Sequence, residues 1–295
     1  MISVRNVTKT FNELKALDNV NMNVPAGTVY GLVGSNGAGK TTLIRHLAGI
    51  YRQDSGNVCI DDREVYENNS VKVRTGLIPD EVYFYPQSST LDMANFLSGI
   101  YQSFDREYYK ELAKAFPINE KQAIGRMSRG MQKQSAFWLT IACRFDVLLL
   151  DEPVDGLDPV MRRTVWKLLL NDVAEYGTTV VISSHNLREL EDVCDHVGIM
   201  HKGKIVLERS LSDLQSDVYK INIAFENDLP DEIPELQILH RTKTGKLYTL
   251  IVRGDKDDVT GRLQRFSPTF TDVLPLTLEE IFIYEMGGED YGNIL

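Results

Sequence analysis

The chain has little from which to build a disulfide, a metal centre or a membrane span. Its three cysteines, Cys59, Cys143 and Cys194, lie far apart and form no close pair, which argues against a disulfide framework or a zinc site and fits a reducing cytosol. The five histidines show no ligand spacing. No run approaches the roughly 18 apolar residues that a bilayer demands, so any work at a membrane falls to a partner. The opening Met1-Ile2-Ser3-Val4-Arg5 lacks the basic-then-apolar order of a secretory leader. Positive charge is also short: the net charge of −10 argues against nucleic acid as a general partner. There is no internal repeat, no low-complexity segment and no Asn-Lys-x-Asp guanine-reading pattern, which speaks against a GTP-binding switch. What is present is a chain of 295 residues, 43% of them apolar. That is ample for a core and long for one domain, so a main domain with an appendage is expected.

One stretch organises the rest. Gly34-Ser35-Asn36-Gly37-Ala38-Gly39-Lys40-Thr41-Thr42 has the phosphate-loop spacing of Gly, four residues, then Gly-Lys-Thr. The apolar run Thr28–Val33 before it reads as a buried strand, and Thr42–Leu47 after it as a helix stopped by Gly49. Gly34, Gly37 and Gly39 are expected to take dihedrals closed to other residues and curl the backbone round an anion. Lys40 can reach β- and γ-phosphates, and the Thr41 hydroxyl can ligate Mg²⁺. A glycine-rich turn without a ligand is the plainer alternative.

Along the chain, residues 2–8 and 17–24 read as strands flanking a turn that contains Phe11. That ring either stacks on a purine or folds back onto the sheet. Residues 83–135 lose strand alternation and read as a helical insertion, with helices over Leu91–Phe104 and Glu107–Phe116. The apolar strand ending at Leu148-Leu149-Leu150-Asp151-Glu152 suits a central parallel strand, whose carboxyl end is where open α/β sheets bind ligands. Asp151 could there meet the Mg²⁺ held by Thr41. A helix over Arg162–Glu175 and a strand Thr178–Ser183 follow, bringing His185 to the same edge. Further expectations are a helix Leu187–Cys194, a hairpin through Lys202-Gly203, and from about Ser210 a small α+β domain ending in a helix Leu278–Met286. The expected division is residues 1–210 and 211–295.

In these residues the sequence resembles the ATP-binding cassette (ABC) family, in particular the ATPase subunits of bacterial exporters, over about residues 1–210. Five elements stand in order: the phosphate loop; Asp151 and Glu152; Met127-Ser128-Arg129-Gly130-Met131, similar to the signature segment Leu-Ser-Gly-Gly-Gln; Asp155-Gly156-Leu157-Asp158, similar to the loop that communicates between subunits; and His185 at the switch-histidine position.

The resemblance implies an α/β fold: a P-loop NTPase core with a helical subdomain and an antiparallel N-terminal β-subdomain, plus the small C-terminal α+β domain. It implies ATP and Mg²⁺ bound in a head-to-tail dimer with a second ABC ATPase subunit, the same or related. Gly34–Thr42 of one subunit and Ser128, Gly130 and Asp158 of the other would grip the nucleotide, with Phe11 on the adenine. Glu152 would activate water, His185 would hold the γ-phosphate, and Thr41, Asp151 and Asp80 would serve the metal. It further implies a transmembrane permease subunit as partner and a cytoplasmic place at the inner face of the membrane. Three residues depart from the family pattern: Asp80 where glutamine is usual, Arg129 in place of a signature glycine, and Met131 in place of the signature glutamine. The competing reading is a soluble ABC-type ATPase acting on ribosomes or DNA. Such relatives typically carry two cassettes or a long coiled coil, and neither is present here.

Overall fold

The computed structural model describes residues 1–85, 87–216, 218–225, 233, 236–277 and 279–280. They divide into two compact units: Met1–Asn186 with Val193–Glu208, and Leu187–Asp192 with the chain from Arg209 onward.

The first unit is built on two sheets. An antiparallel sheet joins β1 (Ile2–Phe11), β2 (Leu14–Val24), β4 (Ser55–Ile60) and β5 (Arg63–Glu64) in the order β2-β1-β4-β5. β1 and β2 form a hairpin longer than the apolar alternation suggests. Asn12 takes φ 52°, a conformation asparagine tolerates, and this tightens the turn. Phe11 therefore closes a strand instead of lying in a loop.

The second sheet contains β3 (Val29–Val33), β6 (Thr75–Ile78), β7 (Val147–Asp151), β8 (Thr179–Ser184), β9 (His196–His201) and β10 (Lys204–Ser210), in the order β10-β9-β3-β8-β7-β6. From β9 to β6 all pairings are parallel. Every residue of β3, β7 and β8 is buried, which is why these strands read as unbroken apolar runs and not as alternation. The two sheets share one core, in which Val4, Val20 and Val58 meet Leu32, Leu43, Leu149 and Val181.

Helices α1 (Lys40–Leu47), α2 (Asn69–Lys72), α3 (Thr90–Ile100), α4 (Arg106–Leu112), α5 (Arg129–Ala142) and α6 (Pro159–Tyr176) complete this unit. Their ends follow local chemistry. Ser89 and Asp92 form a reciprocal capping box on α3, and Asp105 caps α4. Asp158 caps α6 ahead of Pro159, and Gly177 at φ 69° closes it. The helical insertion is pinned to α5 by Trp138. Its ring stacks on Tyr109 with centroids 4.9 Å apart, and its indole N–H donates to the Tyr109 carbonyl at 2.8 Å.

In the second unit, helix α7 (Leu187–Glu191) is shorter than the sequence suggests. The chain after it returns to the first unit's sheet, where the Asp195 amide donates to the Val29 carbonyl and the Asp195 carboxylate accepts from the Val29 amide, both at 2.8 Å. The unit also holds α8 (Leu211–Ser216), α9 (Lys256–Gln264) and an antiparallel sheet of β11 (Val218–Ala224), β12 (Gln237–Thr244), β13 (Leu247–Arg253) and β14 (Phe270–Pro275), in the order β12-β13-β11-β14. Ile221, Ile223, Leu250 and Val252 pack with Val259 and Leu263 of α9. The helix expected over Leu278–Met286 lies outside the described residues save for Glu279 and Glu280.

Between α5 and β7 one guanidinium holds α4 and α6 to a common point. Arg144 lies between the rings of Tyr108 (3.5 Å) and Tyr176 (4.0 Å) and pairs with the buried carboxyl of Asp172 at 2.7 Å. Burial outweighs that pairing and pushes the Asp172 carboxyl up to about 6. The folded chain thus binds this proton more tightly than the unfolded chain does. The contribution is full below about pH 4 and is lost as pH rises through about 6. Asp172→Asn cannot ionise. Thermal melts across this window should show the wild type losing stability relative to Asp172→Asn as pH increases; a constant difference would contradict the assignment.

Candidate functional site

Three strand ends converge at the carboxyl edge of the parallel sheet. β3 runs into residues 34–39, β7 ends on Asp151, and β8 stops at Ser184, next to His185. The Gly34 amide donates to the Ser184 carbonyl at 3.3 Å, and the Ala38 amide to the Ser35 carbonyl at 3.1 Å. The glycines serve different ends. Gly37 (φ 84°) and Gly39 (φ 110°, capping α1) take the left-handed backbone expected of them. Gly34 does not: a Cβ there would lie 2.2 Å from the Met200 carbonyl oxygen. Close approach to β9, not a special dihedral, requires this glycine.

Within the loop Ser35 is half-buried, Asn36 exposed and Ala38 buried. Lys40 is 5% exposed. Its ammonium donates to the Gly34 carbonyl at 2.6 Å and the Ser35 carbonyl at 3.4 Å, and stands 3.2 Å from Glu152 Oε1. Thr41 and Thr42 follow in the first turn of α1, where the amides of the helix N-terminus favour anions.

Glu152 is the hub. Its Oε2 lies 2.9 Å from His185 Nδ1. Its Oε1 is buried and, among the described residues, has no hydrogen-bond partner, the Lys40 contact being electrostatic only. Its backbone sits at φ 44°, which costs on the order of 1–3 kcal/mol in a residue with a Cβ and persists only where its surroundings impose it. The amide is held by Ser183, at 3.1 Å to Oγ and 3.2 Å to the carbonyl. The Ser183 hydroxyl donates in turn to Asp151 Oδ1 at 2.5 Å. The Glu152 carbonyl accepts from Lys133 Nζ at 2.7 Å. Asp155 joins the cluster: ligand atoms of Glu152, Asp155 and His185 lie within 4.8 Å of one another.

The remaining expected residues fall around this hub. Phe11 is 39% exposed, with its ring edge-to-face against Tyr51 at 5.4 Å, so it has not folded away against the sheet. Asp80, just past β6, faces Lys133 at 3.5 Å. Ser128, itself exposed, caps the 14-residue α5 through the Met131 amide at 3.3 Å, with Arg129 exposed and Gly130 and Met131 half-buried. Among the described residues no hydrogen bond or ion pair joins Ser128 or Gly130 to the phosphate loop. Gly130 is tight against the neighbouring loop, since a Cβ there would come 2.8 Å from the Gly156 carbonyl. Asp158 Oδ1 accepts from the Val160 and Met161 amides, both at 3.0 Å, so this carboxylate has a capping role in α6. Ser183 and Lys133 lie in no spacing pattern of the sequence, and only the fold brings them to Glu152.

Thr41 and Asp151 offer a hydroxyl and a carboxylate, the hard oxygen donors that suit Mg²⁺. Asp151 is 3% exposed, and such a carboxylate needs a hydrogen bond or a cation to offset its desolvation.

The ABC transporter family model matches residues 17–155. The ABC transporter ATP-binding protein YtrB of Bacillus subtilis is 32% identical over 98% of this chain and 99% of its own. The bacitracin transport ATP-binding protein BcrA of Bacillus licheniformis is 29% identical over 99% of each. Among solved structures, the dimeric bacterial ABC transporter cassette MJ0796 is 23% identical and covers 72% of this chain and 99% of its own; the TM-score of 0.65 shows a shared fold.

The two loop glycines separate two kinds of damage. Gly34→Ala forces backbone against backbone and should abolish nucleotide binding and lower the melting temperature. Gly37→Ala, with nothing within 4 Å of its Cβ, should cost only the roughly 1–2 kcal/mol of placing a Cβ in the left-handed region. Equal melting losses for the two variants would refute the close-approach reading.

Proposed function

The chain belongs to the ATP-binding proteins of ABC transporters and is an ATPase, and from that premise we propose that it powers a separate transmembrane permease through ATP-dependent closure of a dimer of cassettes. Export is the proposed direction. It is supported by full-length similarity to a bacitracin transport protein and by 31% identity, over 77% of this chain, to the lantibiotic transport ATP-binding protein SrtF of Streptococcus pyogenes. None of the described helices is long and apolar enough to cross a membrane, so the chain would sit at the inner membrane face through its permease.

The observation that carries the chemistry is the divided carboxylate of Glu152. One oxygen is occupied by His185, while the other is buried with no hydrogen bond among the described residues and faces only the Lys40 ammonium at 3.2 Å, a cation that bound phosphate would draw off. A general base needs one oxygen free to take a proton from water and the rest of the group fixed. His185, half-exposed at the site's rim, would orient that water and hold the γ-phosphate. Lys40 would exchange its carbonyl partners for phosphate oxygens, a charge-assisted and therefore stronger pairing. The amides of residues 34–42 would cradle the phosphate chain, and Phe11, braced by Tyr51, would stack on adenine. Thr41 and Asp151 would hold Mg²⁺ directly or through water, with Asp80 behind. The ion's role is to neutralise phosphate charge.

Ser128 and the Gly130 amide, at the N-terminus of α5, would meet the γ-phosphate bound by a second subunit, with Asp158 on the adjoining loop. Closure then depends on the γ-phosphate: to move an equilibrium from 1:99 to 99:1 takes about 5.5 kcal/mol of differential affinity. A multiply charged group gripped by two helix ends, a lysine and Mg²⁺ can supply that.

Glu152→Gln should bind ATP with unchanged affinity, lose turnover by about 10²-fold or more, and elute as a dimer with ATP and Mg²⁺. Wild-type turnover in that variant would remove Glu152 from the base role. A chain that stays monomeric under those conditions, even with its permease present, would refute the dimer. Co-purification with ribosomes or DNA, and not with a membrane protein, would overturn the transport reading.

A further inference from the structure

Lys133 lies in the second turn of α5 with its side chain only 7% exposed, and lysines are almost never buried without partners. This one has two, and both lead to the catalytic edge. Its ammonium donates to the Glu152 carbonyl at 2.7 Å and lies 3.5 Å from Asp80 Oδ1. Neither contact completes the secondary structure of α5 or β7. The α5 core is supplied by other residues, among them Phe137, Trp138 and Ile141.

The partner atom is what matters. Glu152 departs from the strand at φ 44°, so the peptide after it is turned away from the direction that β7 would give it. On the amino side Ser183 holds this residue. On the carboxyl side the only other donor to its carbonyl among the described residues is the Asp155 amide at a long 3.4 Å. The hydrogen bond from Lys133 is shorter and charge-assisted, the stronger of the two kinds. If the 152 carbonyl swings, the side chain swings with it, away from Lys40 and His185.

We propose that Lys133 is a positioning residue for ATP hydrolysis. Its ammonium pins the Glu152 backbone and so aims the carboxylate, while Asp80 supplies the counter-charge that lets the ammonium stay buried. The proposal rests on the reading of Glu152 as general base. It also gives a physical reason for the carboxylate at residue 80. A neutral amide could not balance the charge of Lys133, and an aspartate can. Asp80 and Lys133 therefore form one unit, linking the end of β6 to the signature helix and to the base.

The test uses the full chain carrying Lys133→Met, which keeps the length of the stem, Lys133→Arg, Asp80→Asn, and the Lys133→Met/Asp80→Asn pair. Turnover at saturating ATP, nucleotide affinity measured with a fluorescent ATP analogue, and the melting temperature are the readouts. Misplacing a catalytic group by about 1 Å can cost 10²-fold. Lys133→Met should therefore lose about 10- to 100-fold in kcat with affinity within about twofold of wild type, and Lys133→Arg should recover most of the loss. Asp80→Asn should lose a smaller factor, and the pair should be no slower than Lys133→Met alone, since the two act together. Wild-type kcat in Lys133→Met, or a loss matched in affinity and melting temperature, overturns the proposal. If Lys133→Met fails to fold, the more exposed Asp80 carries the test, and an unchanged kcat in Asp80→Asn overturns it equally. Glu152→Gln run alongside separates the two claims. If it is inactive while Lys133→Met is fully active, only the positioning role falls; if it is active, the base assignment falls.

Discussion

A carboxylate set between a lysine and a histidine governs how the first unit is put together. Glu152 faces Lys40 at 3.2 Å and His185 at 2.9 Å, yet these three residues lie on segments more than a hundred and more than thirty positions apart. They meet because β3, β8 and β7 are neighbours in a parallel sheet, where adjacent strands must be joined by long crossovers. The parallel sheet in turn needs both faces covered, so Tyr30, Leu32, Leu149 and Val181 are fully buried and support the geometry of a site none of them touches. Local forces alone would not assemble it. The left-handed backbone at Glu152 is held in place by Ser183 and Lys133, each from a different element.

The second unit is organised by simpler means. Its sheet is antiparallel throughout, and α9 fills one face with Val259 and Leu263. The alternation of Tyr219, Ile221, Ile223 and Phe225 is the signature of a half-covered sheet. That is why this region could be read as a separate α+β structure from pattern alone. The phosphate-loop and carboxylate patterns lie in the first unit.

Much of the site could be read from sequence because its parts lie in short segments whose spacing reflects their chemistry. The loop Gly34–Thr42, the apolar strand ending on Asp151 and Glu152, and the capped start of α5 at Ser128 all belong to this class. What could not be read depended on distance in the fold. The reason for Gly34 is the carbonyl of Met200, 166 residues away, and the partner of Lys133 is a backbone oxygen, which no residue pattern announces. The ends of elements also escaped. The β1–β2 hairpin runs on to Phe11 because Asn12 accepts a left-handed turn, and α7 stops early because Asp195 is taken up by Val29. The apolar period sets which face of an element is buried, but the last hydrogen bond sets where it stops.

The close approach of residue 130 to the Gly156 carbonyl bears on how such a chain can drift over generations. The start of α5 and the turn after the carboxylates are packed so tightly that a single methyl on one displaces the main chain of the other. A lineage that enlarges residue 130 must first lower the turn at 156, and one that rebuilds that turn must preserve the room residue 130 needs. The two segments are thus coupled through their backbones, and a change in one calls for a matching change in the other.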